Sequence, residues 1–131
     1  MIIIDLRSMI ISLSNQRCSQ DEYKQKKRVR EHNRAIKKLL VLNRTMYAQE
    51  GHCETVVREL LQHPSEKVQL TTAAYCLRAG ILNQEAREVL SNIEKNSCDK
   101  MIALDACLTA MVTVLCLFPS SVNKDADDSG Q

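Results

Sequence analysis

The residues best suited to chemistry in this sequence are basic, and they lie close together. Between residues 20 and 45, nine lysines and arginines stand against three acidic residues, which gives this segment a net charge of +6. A basic stripe of this density can bind carboxylates of a protein partner or phosphates of RNA or DNA, unless it is only the solvated face of a surface helix. The basic residues are Lys24, Lys26, Lys27, Arg28, Arg30, Arg34, Lys37, Lys38 and Arg44.

Aromatic content separates the two kinds of partner. Nucleic-acid readers usually add aromatic side chains that stack on bases, or a helix that reads base edges. The basic segment has only Tyr23 and Tyr47 at its two ends. We therefore predict a protein partner with a carboxylate-rich face, and the candidate partner-binding residues are Arg30, Arg34, Lys37, Lys38 and Arg44. A basic partner would instead need acidic residues such as Glu59, Glu66, Glu85 and Glu88.

The titratable residues do not form a catalytic or metal-binding pattern. Asp105 lies within an apolar stripe, so it requires a counter-charge, such as an Arg or His of a neighbouring helix. A catalytic acid would also need a second titratable group and a cleft. His32, His52 and His63 are scattered singly, without a partner one helical turn away. We predict a protein that is not an enzyme and has no metal site and no cofactor.

Six cysteines, at positions 18, 53, 76, 98, 107 and 116, contain no C-x-x-C pair. Structural zinc sites need ligands grouped within a few residues, which this spacing does not provide. Cys76, Cys107 and Cys116 have apolar neighbours and are predicted to be small core residues. Reduced, unligated cysteines in turn predict a cytoplasmic location.

Composition predicts a helical fold. The chain has 131 residues, of which 44% are hydrophobic and 26% charged, as in a soluble domain with an ordinary core. Three Gly and two Pro leave little material for hairpins, and 3% aromatic content makes the core aliphatic. We predict a compact all-α bundle of about five to six helices over residues 1–118, followed by a disordered acidic tail over residues 119–131.

The fold is organised around residues 60–74, where Pro64 separates two short amphipathic helices. Pro64 has no backbone N–H and disfavours helix at His63, so the first helix ends there. Ser65 is placed to cap the second helix. Both helices must fold back on each other to bury their stripes. The stripes are Val56, Val57, Leu60 and Leu61 before the turn, and Leu70, Ala73, Ala74 and Leu77 after it.

Residues 1–13 are predicted to form an amphipathic helix that packs on the body. The segment lacks the basic start of a signal peptide and is too short to span a bilayer. Translation beginning at Met9 is the alternative. The face that we expect to pack carries Leu6, Met9, Ile10 and Leu13.

The longest helix is predicted to open at a capping box formed by Ser19 and Glu22 and to run to about Gln49, with Gly51 as its stop. Its buried side is predicted to comprise Val29, Ile36, Leu39, Leu40, Leu42, Met46 and Tyr47.

Two further helices follow the central pair. Asn83 is predicted to cap the first, over residues 84–95, and Asn96 or Ser97 to cap the last, over residues 100–117. The last helix is apolar on nearly every side, which indicates a central position or a place under a partner. Its main stripe is predicted to be Met101, Leu104, Leu108, Met111, Val112 and Leu115.

The helix–Pro turn–helix unit with Val68, Ala73 and Ala74 resembles a HEAT-type repeat, a pair of antiparallel helices. Gln69 stands where that pattern usually has Arg, and the period elsewhere is irregular, so the resemblance is to a HEAT-like bundle. Residues 23–117 resemble a small bacterial HEAT-like family of unknown function. The matching motifs are Asn33-Arg34-Ala35, Leu61-Gln62-His63-Pro64-Ser65, Ala73-Ala74-Tyr75-Cys76-Leu77, Glu85-Ala86 with Val89-Leu90, and Asp105-Ala106-Cys107-Leu108.

Members of such families resemble immunity proteins that are encoded beside secreted polymorphic toxins. The resemblance therefore implies a non-catalytic protein that binds and occludes a cognate toxin. The alternative is an RNA- or DNA-binding module that uses the basic long helix. A third and more remote interpretation is a subunit of an enzyme or a scaffold for one.

Overall fold

Apolar side chains at helical spacing form six α-helices in the part of the chain that the computed structural model describes, residues 3–112, with side chains described from Leu6 to Met111. Two short 3₁₀ turns, Glu22–Lys24 and Glu50–Cys53, flank the second helix. The predicted all-α bundle of about five to six helices is therefore confirmed. The helices are α1 (Ile3–Asn15), α2 (Lys26–Ala48), α3 (Glu54–Leu61), α4 (Glu66–Ala79), α5 (Asn83–Asn96) and α6 (Lys100–Val112).

Helix α4 lies at the centre of the bundle. From Val68 to Leu77 every residue except Gln69 is buried, and α1, α3, α5 and α6 all pack against this helix. Thr72 satisfies its buried hydroxyl by donating to the Val68 carbonyl at 2.7 Å. The small residues Ala73 and Ala74 are both buried, in agreement with the sequence pattern. Neighbouring helices can therefore approach the α4 backbone closely.

The Pro64 turn joins α3 to α4 as predicted. Helix α3 ends at Leu61 and α4 begins at Glu66, so the two helices form a tight hairpin. Ser65 caps α4, because its hydroxyl oxygen accepts from the Val68 N–H at 3.5 Å. Gly80 ends α4 with a left-handed φ of 74°, a conformation that a residue without Cβ adopts at little cost.

The predicted start of the long helix at Ser19 is wrong, although the capping contact itself exists. The Ser19 N–H donates to a Glu22 carboxylate oxygen at 2.9 Å. This contact holds a 3₁₀ turn, after which Gln25 takes an extended conformation with φ −105° and ψ 116°. Helix α2 therefore begins only at Lys26. A capping box specifies one turn, and the residues that follow decide whether helix continues.

The predicted caps of the last two helices also need correction. Asn83 is the first residue of α5 and not its cap, which is Leu82 with φ 49°. Helix α6 is capped by Asp99, whose carboxylate accepts from the backbone N–H groups of Met101 and Ile102, each at 3.0 Å. The hydroxyl of Ser97, one of the two predicted caps, accepts from the Asp99 N–H at 3.1 Å. Ser97 thus supports the cap that Asp99 provides.

The predicted buried stripe of α6 is wrong. Ile102 and Ala106 are the buried residues, whereas Leu104, Leu108 and Met111 are 50%, 45% and 65% exposed. A helix that is apolar on nearly every side has no periodicity that selects its buried face. The predicted continuation over residues 113–117 and the predicted tail over residues 119–131 lie outside the described residues.

The cysteines differ in their burial. Cys76 is fully buried in α4, as predicted for a small core residue, and Cys18 is equally buried. Cys107 is only half-buried, so it contributes less to the core than predicted. Cys116 lies outside the described residues, and the reduced state of the thiols remains a prediction.

Candidate partner-binding surface

Helix α2 packs along α1 and the two 3₁₀ turns. Ala35, Leu39 and Met46 are buried on this side at helical spacing. The predicted burial of Leu39 and Met46 is therefore confirmed. Leu40 was predicted to be buried but is 38% exposed. Several residues on the side of α2 opposite the buried ones are exposed, among them Arg30, Arg34 and Lys37.

That opposite side carries all five candidate partner-binding residues, which we call the basic ridge. All five side chains are exposed. Four of them follow helical spacing at i, i+4, i+7 and i+14, which places them along one face. Within residues 6–111, no ridge residue forms an ion pair, whereas Arg28, a basic residue near the start of the same helix, pairs with Glu22 and Glu31. The ridge residues are Arg30, Arg34, Lys37, Lys38 and Arg44.

The chain before α2 holds the start of that helix in place. The Cys18 N–H donates to Nδ1 of the buried His32 at 2.9 Å, so this ring nitrogen carries no proton. Arg28 donates to the Gln16 carbonyl at 3.2 Å. Burial lowers the pKa of His32, and the nearby cations, chiefly Arg17 and Arg28, act in the same direction. His32 is therefore a structural, neutral histidine.

Glu22 is the ionic centre of the same region. Its carboxylate accepts from the Ser19 N–H, and it pairs with Arg28 at 3.1 Å and with Lys67 of α4 at 3.2 Å. The Ser19 bond is the largest influence, and together with Arg28 and Lys67 it lowers the pKa of Glu22 to about 2, against the opposing effect of burial. The charged carboxylate thus joins the turn, α2 and α4.

We expect Glu22→Gln to lower the free energy of unfolding at pH 7 by about 1–2 kcal/mol. The folded pKa lies below the unfolded value, so the contribution of Glu22 is complete above about pH 4.5 and is lost as the pH falls through about 2. Urea denaturation of both proteins between pH 7 and pH 2 measures this difference. If the difference in the free energy of unfolding between the two proteins stays constant down to pH 2, Glu22 does not have the lowered pKa described above.

The 3₁₀ turn after α2 has an unusual backbone. Gly51, His52 and Cys53 have consecutive left-handed φ angles of 75°, 54° and 61°. Tyr75 of α4 donates its hydroxyl to the His52 carbonyl at 2.9 Å. The His52 Nδ1–H donates to the Tyr47 carbonyl at 2.7 Å, and the two rings stack with centroids 4.5 Å apart. These contacts compensate for the strain and fix the end of α2.

Neither tyrosine near the basic ridge is placed to stack on a base. The ring of Tyr23 lies 5.5 Å from that of the buried His32, and Tyr47 is stacked on His52. Both rings are half-buried. The exposed face of α2 is thus basic and aliphatic.

A groove of about 930 Å³ runs between α1 and α2 beside the basic ridge. Its apolar lining includes Met9 of α1 and Val41 of α2, which are 41% and 62% exposed. Met9 was predicted to pack on the body and instead borders this groove. The lining residues are Ser8, Met9, Ser12, Leu13, Gln16, Lys37, Lys38, Val41, Leu42 and Thr45.

The sequence did not predict the groove, because it forms between two helices that are distant in the chain. The apolar run from Leu39 to Leu42 was the available signal, since four consecutive apolar residues cannot all face one side of a helix. The exposed Val41 within that run contributes directly to the groove.

Asp105 is half-buried, and its electrostatic partner is Arg17, in the segment between α1 and the first 3₁₀ turn. Burial raises the pKa of Asp105, and Arg17 opposes this shift. Arg17 is in turn held by α4, because its Nε–H donates to the Thr71 hydroxyl at 2.8 Å. Within residues 6–111 the two side chains form no ion pair, so Arg17 acts on Asp105 only at longer range.

The acidic residues considered for a basic partner are largely engaged within the protein. Glu59 pairs with Arg7 at 2.8 Å, and Glu85 with Arg58 at 3.6 Å. Glu66 accepts from the Ser97 hydroxyl at 2.7 Å, and Glu88 is exposed.

Over residues 3–112, no group of three His, Cys, Asp or Glu is arranged to hold a metal ion. No helix in that range has the length and apolar character needed to cross a membrane.

The fold and surface thus define an all-α bundle with a basic outer helix. Over residues 5–112 the chain matches the family model described as a domain of unknown function (DUF2019), and it belongs to that family. Comparisons with curated proteins and with solved structures find no match.

Proposed function

We propose that this protein is a non-catalytic binding module of the immunity type, which acts in the cytoplasm by occluding the active site of a cognate bacterial toxin. The observation that carries the proposal is the basic ridge on α2. Its five side chains are exposed and form no ion pair within residues 6–111, whereas the opposite side of the helix is buried in the bundle. Exposed charges without internal partners are available to a carboxylate-rich partner face.

The arrangement of the later helices supports the HEAT-like part of the proposal. Helices α3, α4, α5 and α6 are joined by short links, and each packs against the next. Successive antiparallel hairpins of this kind are the building plan of helical-repeat proteins. The Pro64 turn is the position where the sequence resembles a HEAT-type unit most closely.

RNA or DNA binding is the second candidate function, because the segment around α2 has a net charge of +6 from nine basic and three acidic residues. The half-buried Tyr23 and Tyr47 favour the protein partner, since their rings lie against His32 and His52. Salt separates the two functions. Nucleic-acid binding weakens steeply with salt through counterion release, whereas a protein complex with shape complementarity weakens mildly.

We expect the double variant Arg34→Glu/Lys38→Glu to lose protection against the cognate toxin domain, which the immunity proposal places in the neighbouring gene. Reversing two ridge charges puts carboxylates against a carboxylate-rich face, which repels the partner. Growth rescue in co-expressing cells and co-purification of the two chains measure the effect. The matched control is Arg87→Glu/Lys95→Glu, which changes the net charge equally on exposed positions of α5.

Three other outcomes are informative. Full rescue by the ridge variant would assign binding to acidic residues such as Glu88, which is exposed. Equal loss in the α5 control would show that net charge alone matters. Absence of both rescue and a co-purifying chain with the wild-type protein would refute the immunity proposal.

A further inference from the structure

The groove between α1 and α2 combines exposed apolar side chains with neighbouring positive charge. Its lining includes four apolar residues, of which Met9 and Val41 are 41% and 62% exposed. Large apolar side chains grouped in one concave place mark a site of interaction. The groove also adjoins the basic ridge, because Lys37 and Lys38 belong to both.

The length of the groove suits a short helix. Its lining extends over eight residue steps of each wall, from Ser8 to Gln16 and from Lys37 to Thr45. At 1.5 Å per residue this corresponds to about 12 Å, or roughly two helical turns. A helix in such a groove buries side chains at i, i+3 or i+4, and i+7 between the two walls.

The charges around the groove determine the chemistry of that helix. The lining contains two lysines and no acidic residue. Arg34 and Arg44 stand exposed on the same face of α2, beyond the lysines. An occupant with carboxylates beside its apolar stripe would meet these cations, whereas a basic occupant would be repelled.

We propose that the α1–α2 groove receives an acidic amphipathic helix of the partner protein. This inference rests on the proposed function and adds the form in which the partner docks. The apolar anchors enter between Met9, Leu13 and Val41, and the carboxylates of the helix meet Lys37 and Lys38. A membrane surface fits less well, because the apolar residues line a concave groove and do not form a projecting face.

The test uses a displayed library of helical peptides of about 14 residues, with randomised side chains, selected on the full-length protein. We expect the enriched peptides to carry apolar residues at i, i+4 and i+7, flanked by Asp or Glu. Ser12→Trp, at an exposed position of the lining, should weaken their binding at least about tenfold by filling the groove. The matched control is Asn92→Trp, at an exposed position of α5, which should bind them like the wild type.

Several results would overturn the docking proposal. The selection could yield no helical binder or only basic peptides. The enriched peptides could bind Ser12→Trp as well as they bind the wild type. Finally, anionic phosphatidylglycerol vesicles could bind the wild type but not Ser12→Trp. The toxin rescue assay separates this proposal from the proposed function. If Ser12→Trp rescues fully while Arg34→Glu/Lys38→Glu does not, the ridge binds the toxin and the groove does not.

Discussion

Leu77→Ala should lower the free energy of unfolding by about 2–5 kcal/mol, the largest effect that we expect from a single substitution. Leu77 lies in the central helix α4 and is only 4% exposed, so the truncation removes apolar contacts and leaves a cavity. Leu61→Ala in α3 tests the facing side of the same hairpin and should have an effect in the same range. Equilibrium urea denaturation measures both.

The matched control for both variants is Leu104→Ala. It makes the same chemical change at a leucine of α6 that is half exposed, and it should alter the free energy of unfolding by about 0.5 kcal/mol or less. Wild-type stability of both core variants would mean that α3 and α4 do not form the core. A large loss in Leu104→Ala would instead mean that the exposed side of α6 is covered.

Arg17→Met should have the second largest effect, a loss of about 1.5–3 kcal/mol in the free energy of unfolding, which is the range for a hydrogen bond made by a charged group. The substitution keeps most of the apolar side chain but removes the donor to the Thr71 hydroxyl and the cation that lowers the pKa of Asp105. Loss of the Arg17 cation also removes the charge that opposes the raised pKa of the partly desolvated Asp105 carboxylate.

A double-mutant cycle with Asp105→Asn isolates this interaction. If Arg17 stabilises the carboxylate, the double variant should be less destabilised than the sum of the two single variants by about 1–3 kcal/mol. Additive effects within about 0.5 kcal/mol would contradict an energetic coupling between Arg17 and Asp105. Thr71→Val serves as a further variant, since it removes the hydroxyl that accepts from Arg17 and leaves the charges intact.

Local signals in the sequence predicted local structure well. Pro64 and Ser65 set the turn between α3 and α4 because their effects depend on neighbouring backbone groups alone. The exposed positions of the basic ridge were predictable for a similar reason, since helical spacing separates charged from apolar residues within one segment. Glu22 was identified as a capping residue, but its pairing with Lys67 joins residues 45 apart and extends the role of that carboxylate beyond the turn.

Features that depend on two distant segments were not predictable. Arg17 and Thr71 are 54 residues apart in the chain, and no pattern in either segment indicates their contact. The α1–α2 groove likewise arises only from the packing of two helices. Helix α6 is a different case, because a helix apolar on nearly every side leaves its buried face undetermined until α4 and α5 are in place.

The fixation of α2 at both ends has a consequence for the thermodynamics and rate of binding. Cys18 and Arg28 hold its start, and the contacts of His52 with Tyr47 and Tyr75 hold its end. A partner that binds this rigid helix orders few additional backbone dihedrals, so the conformational entropy lost on association is small. Positive charge on such a surface also steers an acidic partner toward it. Association should therefore be fast at low ionic strength. Differences in affinity between related partners should then arise mainly from the dissociation rate.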